Sequence, residues 1–397
     1  MSGTLKIYNG TLICPHRCIK EGTLIIKDGK IVELGSKNVE VEADALQIDA
    51  QGNFIAPGFI DIHVHGGGGC DFMDGEIDDF LTIAETHARY GTTAMTPTTL
   101  TSEKEGLVKV LSNYEKASVK NLKGARFLGM HLEGPYFSLN QRGAQDPKFI
   151  RNPDPKEYKE IIERFGISIA RWSAAPELPG ALAFGRYLRD HGILAAFAHT
   201  DADYDAIVAA FENGYTLATH FYSAMSGVFR KNAYRYAGVI ESTYLIDEID
   251  VEVIADGRHL PAALLKLVYK IKGPDRIALI TDAMRGAATT ASETILGDKK
   301  NGITVIIEDE VAQLPDRSAF AGSIATTNRL VKNMVHMAEI PLVEAVRMQT
   351  YTPARIMGWE RLKGSLAVGK DADVVVFDNN VDVRYTIVEG KLVYQKV

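Results

Sequence analysis

Through the middle of the chain, short apolar segments alternate with segments of helical period, and this alternation constrains the fold more than any other feature. The apolar segments, each a predicted strand, are 57–64, 93–98, 126–132, 168–174, 193–198, 215–219, 251–255 and 277–281. The segments with helical period are 77–90, 103–118, 155–165, 181–191, 203–212 and 260–271. Strands that alternate with helices in this way predict an α/β protein whose parallel strands form a (β/α)8 barrel of the TIM type.

The two ends of the chain have a different pattern. Segments such as TLKIY and GTLIIKDGKIVELG near the start alternate apolar and polar residues and contain Asp-Gly turns, and the stretches at 364–378 and 385–397 repeat this. We therefore predict that both termini form one small β-sandwich domain. The predicted parts of the chain are a β domain at 1–56 plus 358–397, a barrel domain at 57–357, a hairpin inserted within 285–322, and closing helices at about 324–338 and 342–357.

Charge and cysteine content exclude several classes of protein. The chain has 44 Lys+Arg against 51 Asp+Glu, a formal charge of -7, and no basic block, which argues against nucleic-acid binding. Cys14, Cys18 and Cys70 are too few for a disulfide framework. The N-terminus lacks an apolar signal-peptide core, and no apolar run approaches the ~18 residues of a membrane span. These features predict a reduced cytoplasmic protein that does not bind membranes.

Histidines and a glutamate fall where predicted strands end. His63 and His65 end the first strand, Glu133 follows the third, and His199 and His220 end the fifth and sixth. The carboxyl ends of parallel barrel strands meet at one mouth, and residues two apart in a strand share a face. Four imidazoles and one carboxylate suit Zn²⁺ or another first-row ion and suffice for two ions. The competing interpretations are hydrogen-bonded core histidines and a salt bridge from Glu133 to an arginine.

The last two predicted strands end in further ionisable groups. Asp282 follows the eighth strand, where a carboxylate can accept a proton from water and pass it to a leaving group. His259, in the sequence DGRHLP after the seventh strand, is placed to bind a substrate. The alternatives are that Asp282 caps a helix at Ala283 and that Asp256 caps the helix starting at Pro261.

Seven motifs, in this order, resemble those of the amidohydrolase superfamily and, within it, the N-acetylglucosamine-6-phosphate deacetylases. They are PGFIDIHVHGGGG (57–69), HLEGPYFS (131–138), AHTDA (198–202), THFYSAM (219–225), DGRHLP (256–261), TDAM (281–284) and GKDADVVVFD (369–378). The resemblance covers essentially the whole chain. It implies metal-dependent hydrolysis of the acetamide of N-acetylglucosamine 6-phosphate, which gives glucosamine 6-phosphate and acetate. The implied cofactor is one or two divalent ions per chain, Zn first, with Fe, Co or Mn as alternatives.

The resemblance also implies roles for individual residues. Glu133, His199 and His220 would hold one metal ion, and the pair His63 and His65 would hold a second, with Glu133 bridging. Asp282 would be the general acid and base that acts with a metal-activated water, and His259 would contact the sugar or the carbonyl. The family is commonly a homodimer, in which an arginine reaches the phosphate of the neighbour's substrate.

The departures from the family pattern lie at positions that read the sugar and phosphate. Ser223 stands where the family usually has Asn, Ala144-Gln145 stands where it has Ala-His, and Arg235 opens Arg-Tyr-Ala-Gly instead of Arg-Glu-Pro-Gly. The predicted substrate-binding residues are therefore Ala144, Gln145, Ser223, Ala224, His259 and Arg235, with Arg230 as another candidate cation. The exact sugar stays open, and N-acetylgalactosamine 6-phosphate or another N-acetyl amino sugar is an alternative substrate.

Two further hypotheses are less favoured. A cyclic-amide hydrolase or a D-aminoacylase commonly bridges its metals with a carboxylated lysine at the end of the fourth strand. Here that strand runs into Ser173-Ala174-Ala175-Pro176-Glu177, without a lysine. A catalytically inactive barrel would be expected to lose some of the ionisable groups, whereas this chain keeps them all.

Overall fold

The computed structural model describes residues 3–36 and 39–396, so residues 1 and 397, the outer bounds of the predicted β domain, lie outside the described residues. The chain begins with five strands. These are β1 (Thr4–Cys14), β2 (Arg17–Lys27), β3 (Lys30–Gly35), β4 (Leu46–Asp49) and β5 (Phe54–Pro57). Turns between them use left-handed residues such as Gly29, where a glycine avoids the steric penalty of a β-carbon.

The middle of the chain alternates strands with helices, as the apolar pattern predicts. The strands are β6 (Phe59–Val64), β7 (Gly66–Gly67), β8 (Cys70–Asp71), β9 (Thr92–Pro97), β10 (Arg126–Phe127), β11 (Met130–Glu133), β12 (Ile169–Ala174), β13 (Leu194–Phe197), β14 (Tyr215–Ala218), β15 (Phe229–Lys231), β16 (Tyr234–Tyr236), β17 (Asp250–Val253) and β18 (Ile277–Leu279). The helices are α1 (Ile77–Ala88), α2 (Lys104–Lys120), α3 (Pro155–Phe165), α4 (Ala181–Asp190), α5 (Tyr204–Glu212), α6 (Val239–Leu245) and α7 (Ala262–Lys272). The antiparallel pair β15–β16 and helix α6 are additions that the sequence pattern did not indicate.

Helix α3 shows how local sequence sets these elements. Asp154 precedes it and accepts a hydrogen bond from the backbone N–H of Lys156, and Pro155 occupies the first helical position, where no N–H is needed. Its apolar face, which includes Tyr158 and Ile162, is buried in the main hydrophobic core. The helix is therefore held both by its cap and by the core that it covers.

Beyond β18 the chain forms a small antiparallel sheet and three more helices. They are β19 (Glu293–Leu296), β20 (Ile303–Glu308), β21 (Val311–Gln313), α8 (Thr327–His336), α9 (Leu342–Gln349) and α10 (Tyr351–Ile356). The predicted hairpin within 285–322 thus has a third strand, because a second turn at 309–310 lets β21 pair with β20. None of the helices within the described residues is long and apolar enough to cross a membrane.

The last strands return to the first sheet. They are β22 (Val374–Phe377), β23 (Val383–Val388) and β24 (Lys391–Gln395). Strands from both ends of the chain form one eight-stranded sheet with the order β24-β23-β22-β5-β1-β2-β3, and β4 pairs with β1. A separate apolar cluster that includes Ile7, Leu24 and Val376 is buried against it. The strands near the two termini therefore lie in one sheet.

The parallel strands form two sheets that bring their carboxyl ends together. One has the order β10-β9-β6 and the other the order β11-β12-β13-β14-β17-β18. Single parallel bridges, Thr98 with His131 and Val64 with Ala283, connect the sheets at both edges. All residues of β6, β9, β11 and β17 are buried, as expected for parallel strands covered on both faces. The fold is thus a mixed α/β fold with a parallel-strand core.

Candidate active site

Five side chains from different strands converge at the carboxyl ends of the parallel strands. His63 lies in β6 and Glu133 ends β11, whereas His65, His199 and His220 lie one or two residues beyond the ends of β6, β13 and β14. Their ligand atoms form two groups that share Glu133, and in each group these atoms lie within 4.8 Å of one another. All five residues are buried. The structure therefore brings together every residue that the sequence predicts as a metal ligand.

Glu133 lies at the centre of this cluster. Its Oε1 is 2.9 Å from His220 Nε2 and 3.5 Å from both His199 Nε2 and His63 Nε2, and its Oε2 is 3.4 Å from His65 Nε2. The predicted alternative, a salt bridge to an arginine, is wrong because imidazoles surround this carboxylate instead. Because this carboxylate faces four ring nitrogens, it can belong to both groups of candidate ligands at once.

The donor set fits a divalent transition-metal ion. Buried imidazole nitrogens and a carboxylate are the ligands that Zn²⁺ and its neighbours in the first row prefer. His63 Nε2 and His65 Nε2 face each other at 3.2 Å, so a proton or a cation must lie between their lone pairs. The Nδ1 atoms of His65 and His220 are buried without a hydrogen-bond partner in the described residues. The contacts that orient these two rings are therefore those of their Nε2 atoms, which face Glu133 and, for His65, also Asp282.

The electrostatics of the cluster also favour a positive charge at its centre. Burial alone would lower the pKa of His65, but hydrogen bonds to Asp282 and Glu133 outweigh it and raise that pKa to about 10. Burial would raise the pKa of Glu133, but the facing histidines hold it well below its usual range. The pKa of Asp282 is lowered in the same way, chiefly by His63 against the effect of burial. Both carboxylates are therefore ionised and need a nearby cation.

Three of the predicted residues adopt a left-handed backbone conformation. The φ angles are 47° for His199, 31° for His220 and 48° for Asp282. Such a conformation in a residue other than glycine costs on the order of 1–3 kcal/mol and persists where the surrounding structure enforces it. The backbone thus turns sharply at the ends of these strands, which directs the side chains toward the cluster.

Asp282 lies beside the histidine pair. Its Oδ1 is 3.1 Å from His65 Nε2 and 3.4 Å from His63 Nε2. The alternative role as a helix cap is wrong, because no described helix begins at Ala283. An ionised carboxylate at this place can exchange a proton with a molecule bound at the cluster.

His259 is held by its neighbour Asp256. The Nδ1 of His259 is 2.7 Å from Asp256 Oδ2, and Asp256 Oδ1 accepts the backbone N–H groups of Arg258 and His259, each at 2.8 Å. Asp256 does not cap α7, whose flanking residue is Pro261, so that alternative is wrong. The hydrogen bond to Nδ1 leaves the Nε2 of His259 for a ligand.

A cavity of about 510 Å³ opens over the cluster. Predicted residues that line it are His65, Glu133, His199, His220, His259, Asp282, Ala144, Gln145, Ser223 and Ala224. Arg142 and Phe320 also line it, and the sequence analysis missed both. Arg142 is a cation in the loop that follows the HLEGP motif, and this position was the signal available for it.

The two arginines predicted to bind phosphate lie outside this cavity. Arg230 and Arg235 are exposed cross-strand partners in β15 and β16. Neither guanidinium forms an ion pair with any residue in 3–36 or 39–396. Two unpaired like charges opposite each other destabilise a hairpin, so nothing in the local fold accounts for this pair.

Gln145 lines the cavity, but its amide is already bonded. Its Oε1 accepts hydrogen bonds from the backbone N–H and the hydroxyl of Thr101, each at 2.9 Å, and its Nε2 donates to Glu133 Oε2 at 2.8 Å. A backbone N–H can only donate, which fixes the orientation of the amide. The side chain of Gln145 therefore contacts the shared carboxylate.

A buried ion pair lies beneath the cluster, and the sequence analysis missed it. Arg171 in β12 is bonded to Glu252 in β17, and both are fully buried. Glu252 Oε2 is 3.2 Å from His63 Nδ1. The available signal was a charged residue in the middle of each of two apolar strands.

A profile of the amidohydrolase family matches residues 54–393. An N-acetylglucosamine-6-phosphate deacetylase from Vibrio furnissii is 33% identical over 372 residues, which cover 93% of this chain and 89% of that protein. An N-acetylgalactosamine-6-phosphate deacetylase from Escherichia coli O157:H7 is 31% identical over 383 residues, with 96% and 97% covered.

Solved structures are similar along the whole chain. An N-acetylglucosamine-6-phosphate deacetylase from Pasteurella multocida has a TM-score of 0.91 at 28% identity and covers 99% of this chain and 100% of that chain. A variant of the enzyme from Mycobacterium smegmatis, in complex with N-acetyl-D-glucosamine-6-phosphate, has a TM-score of 0.89 at 29% identity with the same coverage.

Proposed function

The chain belongs to the amidohydrolase family, and from this we propose that it hydrolyses the acetamide of N-acetylglucosamine 6-phosphate to glucosamine 6-phosphate and acetate. The observation that carries the proposal is the shared carboxylate Glu133 among four histidines, with Asp282 beside them, at the floor of a 510 Å³ cavity. The names of the full-length relatives point to the same reaction.

Glu133, His199 and His220 would hold one divalent ion, and His63 and His65 would hold a second with Glu133 in common. Zn²⁺ is the ion of first choice, with Fe, Co or Mn as alternatives, because nitrogen and oxygen ligands suit all of them. When bound, such an ion polarises a carbonyl and lowers the pKa of water from ~15.7 to about 7. Both effects are needed because an amide resists attack by neutral water.

Asp282 would act as the general acid and base. Its ionised carboxylate, 3.1 Å from His65 Nε2, would take a proton from the attacking water. Asp282 would then donate that proton to the amine nitrogen, which is a poor leaving group until it is protonated. His259, oriented by Asp256, would contact the sugar or the carbonyl oxygen through Nε2. Ala144, Ser223 and Ala224 would form the sugar-facing wall.

The phosphate would be bound by arginine. Arg142 offers a cation within the cavity of the same chain, whereas Arg230 and Arg235 lie on an exposed hairpin. We propose that the protein is a homodimer in which the hairpin of one subunit extends toward the neighbour's cavity. The unpaired cations of that hairpin support this proposal, because an anionic ligand from outside the subunit would neutralise them.

The finer description of the fold is part of the same proposal. The strands β6, β9, β11, β12, β13, β14, β17 and β18 would form one closed (β/α)8 barrel at 57–357, and the bridges at both sheet edges support closure. Residues 1–56 plus 358–397 would form a separate β-sandwich domain. We propose a cytoplasmic location for the protein.

The test is acetate release by purified protein with added Zn²⁺. The panel contains N-acetylglucosamine and N-acetylgalactosamine, each with and without the 6-phosphate. We expect the highest kcat/KM for N-acetylglucosamine 6-phosphate and a marked loss without the phosphate. A preference for N-acetylgalactosamine 6-phosphate would favour the alternative, which the relative from Escherichia coli and the change at Ser223 support. Release of acetate from none of these sugars would refute the proposal.

A further inference from the structure

A buried carboxylate beneath the candidate metal ligands contacts both halves of the cluster. Glu252 Oε2 lies 3.2 Å from the ring Nδ1 of His63 and 3.3 Å from the backbone nitrogen of His220. Its other oxygen, Oε1, accepts a hydrogen bond from the Nη1 of Arg171. Glu252, Arg171 and His63 are all fully buried. This carboxylate therefore lies between His63 and His220, which belong to the two different ligand groups.

The chemistry of these three contacts determines the protonation of His63. An ionised carboxylate can only accept hydrogen bonds, and Arg171 and the backbone of His220 can only donate. Glu252 accepts from the guanidinium of Arg171 on one oxygen and faces the backbone N–H of His220 with the other, which is the arrangement of an ionised carboxylate. The Nδ1 of His63 must then carry the proton, which leaves a lone pair on Nε2, the atom that faces His65 and Glu133.

Arg171 supplies the charge that lets Glu252 stay ionised inside the barrel. An unpaired buried carboxylate would be strongly destabilising. Arg171 also donates to the carbonyl of Ile62 at 3.2 Å and to the hydroxyl of Thr219 at 3.1 Å, so its guanidinium is held from several sides. Ile62 and Thr219 each directly precede a candidate metal ligand in the chain.

We propose that Glu252, held by Arg171, is a positioning residue that fixes the ring orientation of His63 and the backbone of His220, so that both present Nε2 to bound metal ions. The inference rests on the proposed function in so far as it takes these histidines to be metal ligands. Groups that orient ligating histidines typically change metal affinity 10–100-fold when they are removed.

The substitution Glu252→Gln tests this role. All three partners donate hydrogen bonds, so the NH₂ of a glutamine must face a donor in either orientation. The matched control is Asp250→Asn in the same strand, which removes a buried carboxylate that pairs with Arg276 and Arg355 and touches no candidate ligand. Thermal unfolding identifies variants that fail to fold. If Glu252→Gln does not fold, Glu252→Asp keeps the charge beside Arg171 and withdraws the oxygen from His63.

The measurement is Zn²⁺ binding to metal-stripped protein by competition with a chromophoric chelator, for the wild type, Glu252→Gln, His63→Ala and the double variant. We expect Glu252→Gln to weaken the second ion about 10–100-fold and the first ion less. At the second site the double variant should match His63→Ala. In ¹⁵N-histidine spectra of the Zn²⁺-loaded protein, His63 should carry its proton on Nδ1.

Other results overturn the inference. Wild-type affinity in Glu252→Gln, additive losses at the second site in the double variant, a proton on Nε2 of His63, or a wild type that binds only one ion would each do so. Acetate release is assayed on the same samples. A wild type that binds two Zn²⁺ ions but releases no acetate would refute the proposed function and leave the positioning role standing.

Discussion

Gln145 offers a prediction whose magnitude follows from one hydrogen bond. Its NH₂ donates to Glu133 Oε2 at 2.8 Å, and Thr101 holds its carbonyl oxygen from two sides. The substitution Gln145→Met keeps a similar volume and removes the donor. A hydrogen bond to a charged group contributes about 1.5–3 kcal/mol. Because Gln145→Met loses the bond that positions Glu133, the free energy of metal binding should weaken by that amount. At about 1.4 kcal/mol per decade, this corresponds to roughly 10–150-fold weaker metal binding.

The assay is the Zn²⁺ dissociation constant from chelator competition, measured beside the KM for the preferred sugar phosphate. Gln47→Met, at an exposed position of β4, is the control for a general effect of the substitution. Thr101→Val should give a smaller loss than Gln145→Met, because the backbone N–H of Thr101 still holds the amide oxygen. A raised KM with unchanged Zn²⁺ affinity in Gln145→Met would refute this reasoning and assign Gln145 to the sugar instead.

Four further substitutions test the proposed roles. Asp282→Asn should keep fold and metal content while kcat falls about 10²–10⁴-fold, because the amide cannot shuttle a proton; near-normal turnover would remove Asp282 from the mechanism. Glu133→Gln should release metal, as measured by elemental analysis, and full occupancy would contradict its ligand role. His63→Ala should reduce the metal content by one ion and lower turnover; if neither changes, the histidine pair is not a working site. Arg142→Met should raise KM about tenfold for phosphorylated sugars only, and an equal rise for unphosphorylated sugars would exclude a phosphate contact.

The convergence of these histidines and Glu133 could be predicted from the sequence because alternating strands and helices align the strand ends. His63, Glu133, His199 and His220 are far apart in the chain, yet each lies at or just beyond the carboxyl end of an apolar strand. Parallel strands joined by helices align those ends at one side of the sheet. The prediction therefore needed only the order of strands and helices, and it did not depend on the loops.

The loops could not be predicted from the sequence because their conformation depends on contacts between segments that are far apart in the chain. The hairpin of β15 and β16 consists of two strands of three residues each, which are too short for a periodicity to mark them, so the place of Arg230 and Arg235 could not be predicted. Gln145 was expected to meet the sugar. Its partner Thr101 lies 44 residues away, in a loop after another strand, and no local pattern reports such a contact.

Charged residues within the strands indicate a buried ion pair, which the residues at the strand ends do not. Arg171 lies in a largely apolar strand and Glu252 lies between two buried valines of another, where a single unpaired charge would be strongly destabilising. Two such charges of opposite sign in strands of one sheet are best explained by pairing, since each removes the penalty of the other. Glu252 is bonded to Arg171 on one side and lies 3.2 Å from His63 Nδ1 on the other, so the paired charges are placed to orient that histidine. In this chain the strand ends bring the histidines and Glu133 together, and the buried pair of Arg171 and Glu252 contacts His63 at Nδ1, which leaves Nε2 facing His65 and Glu133.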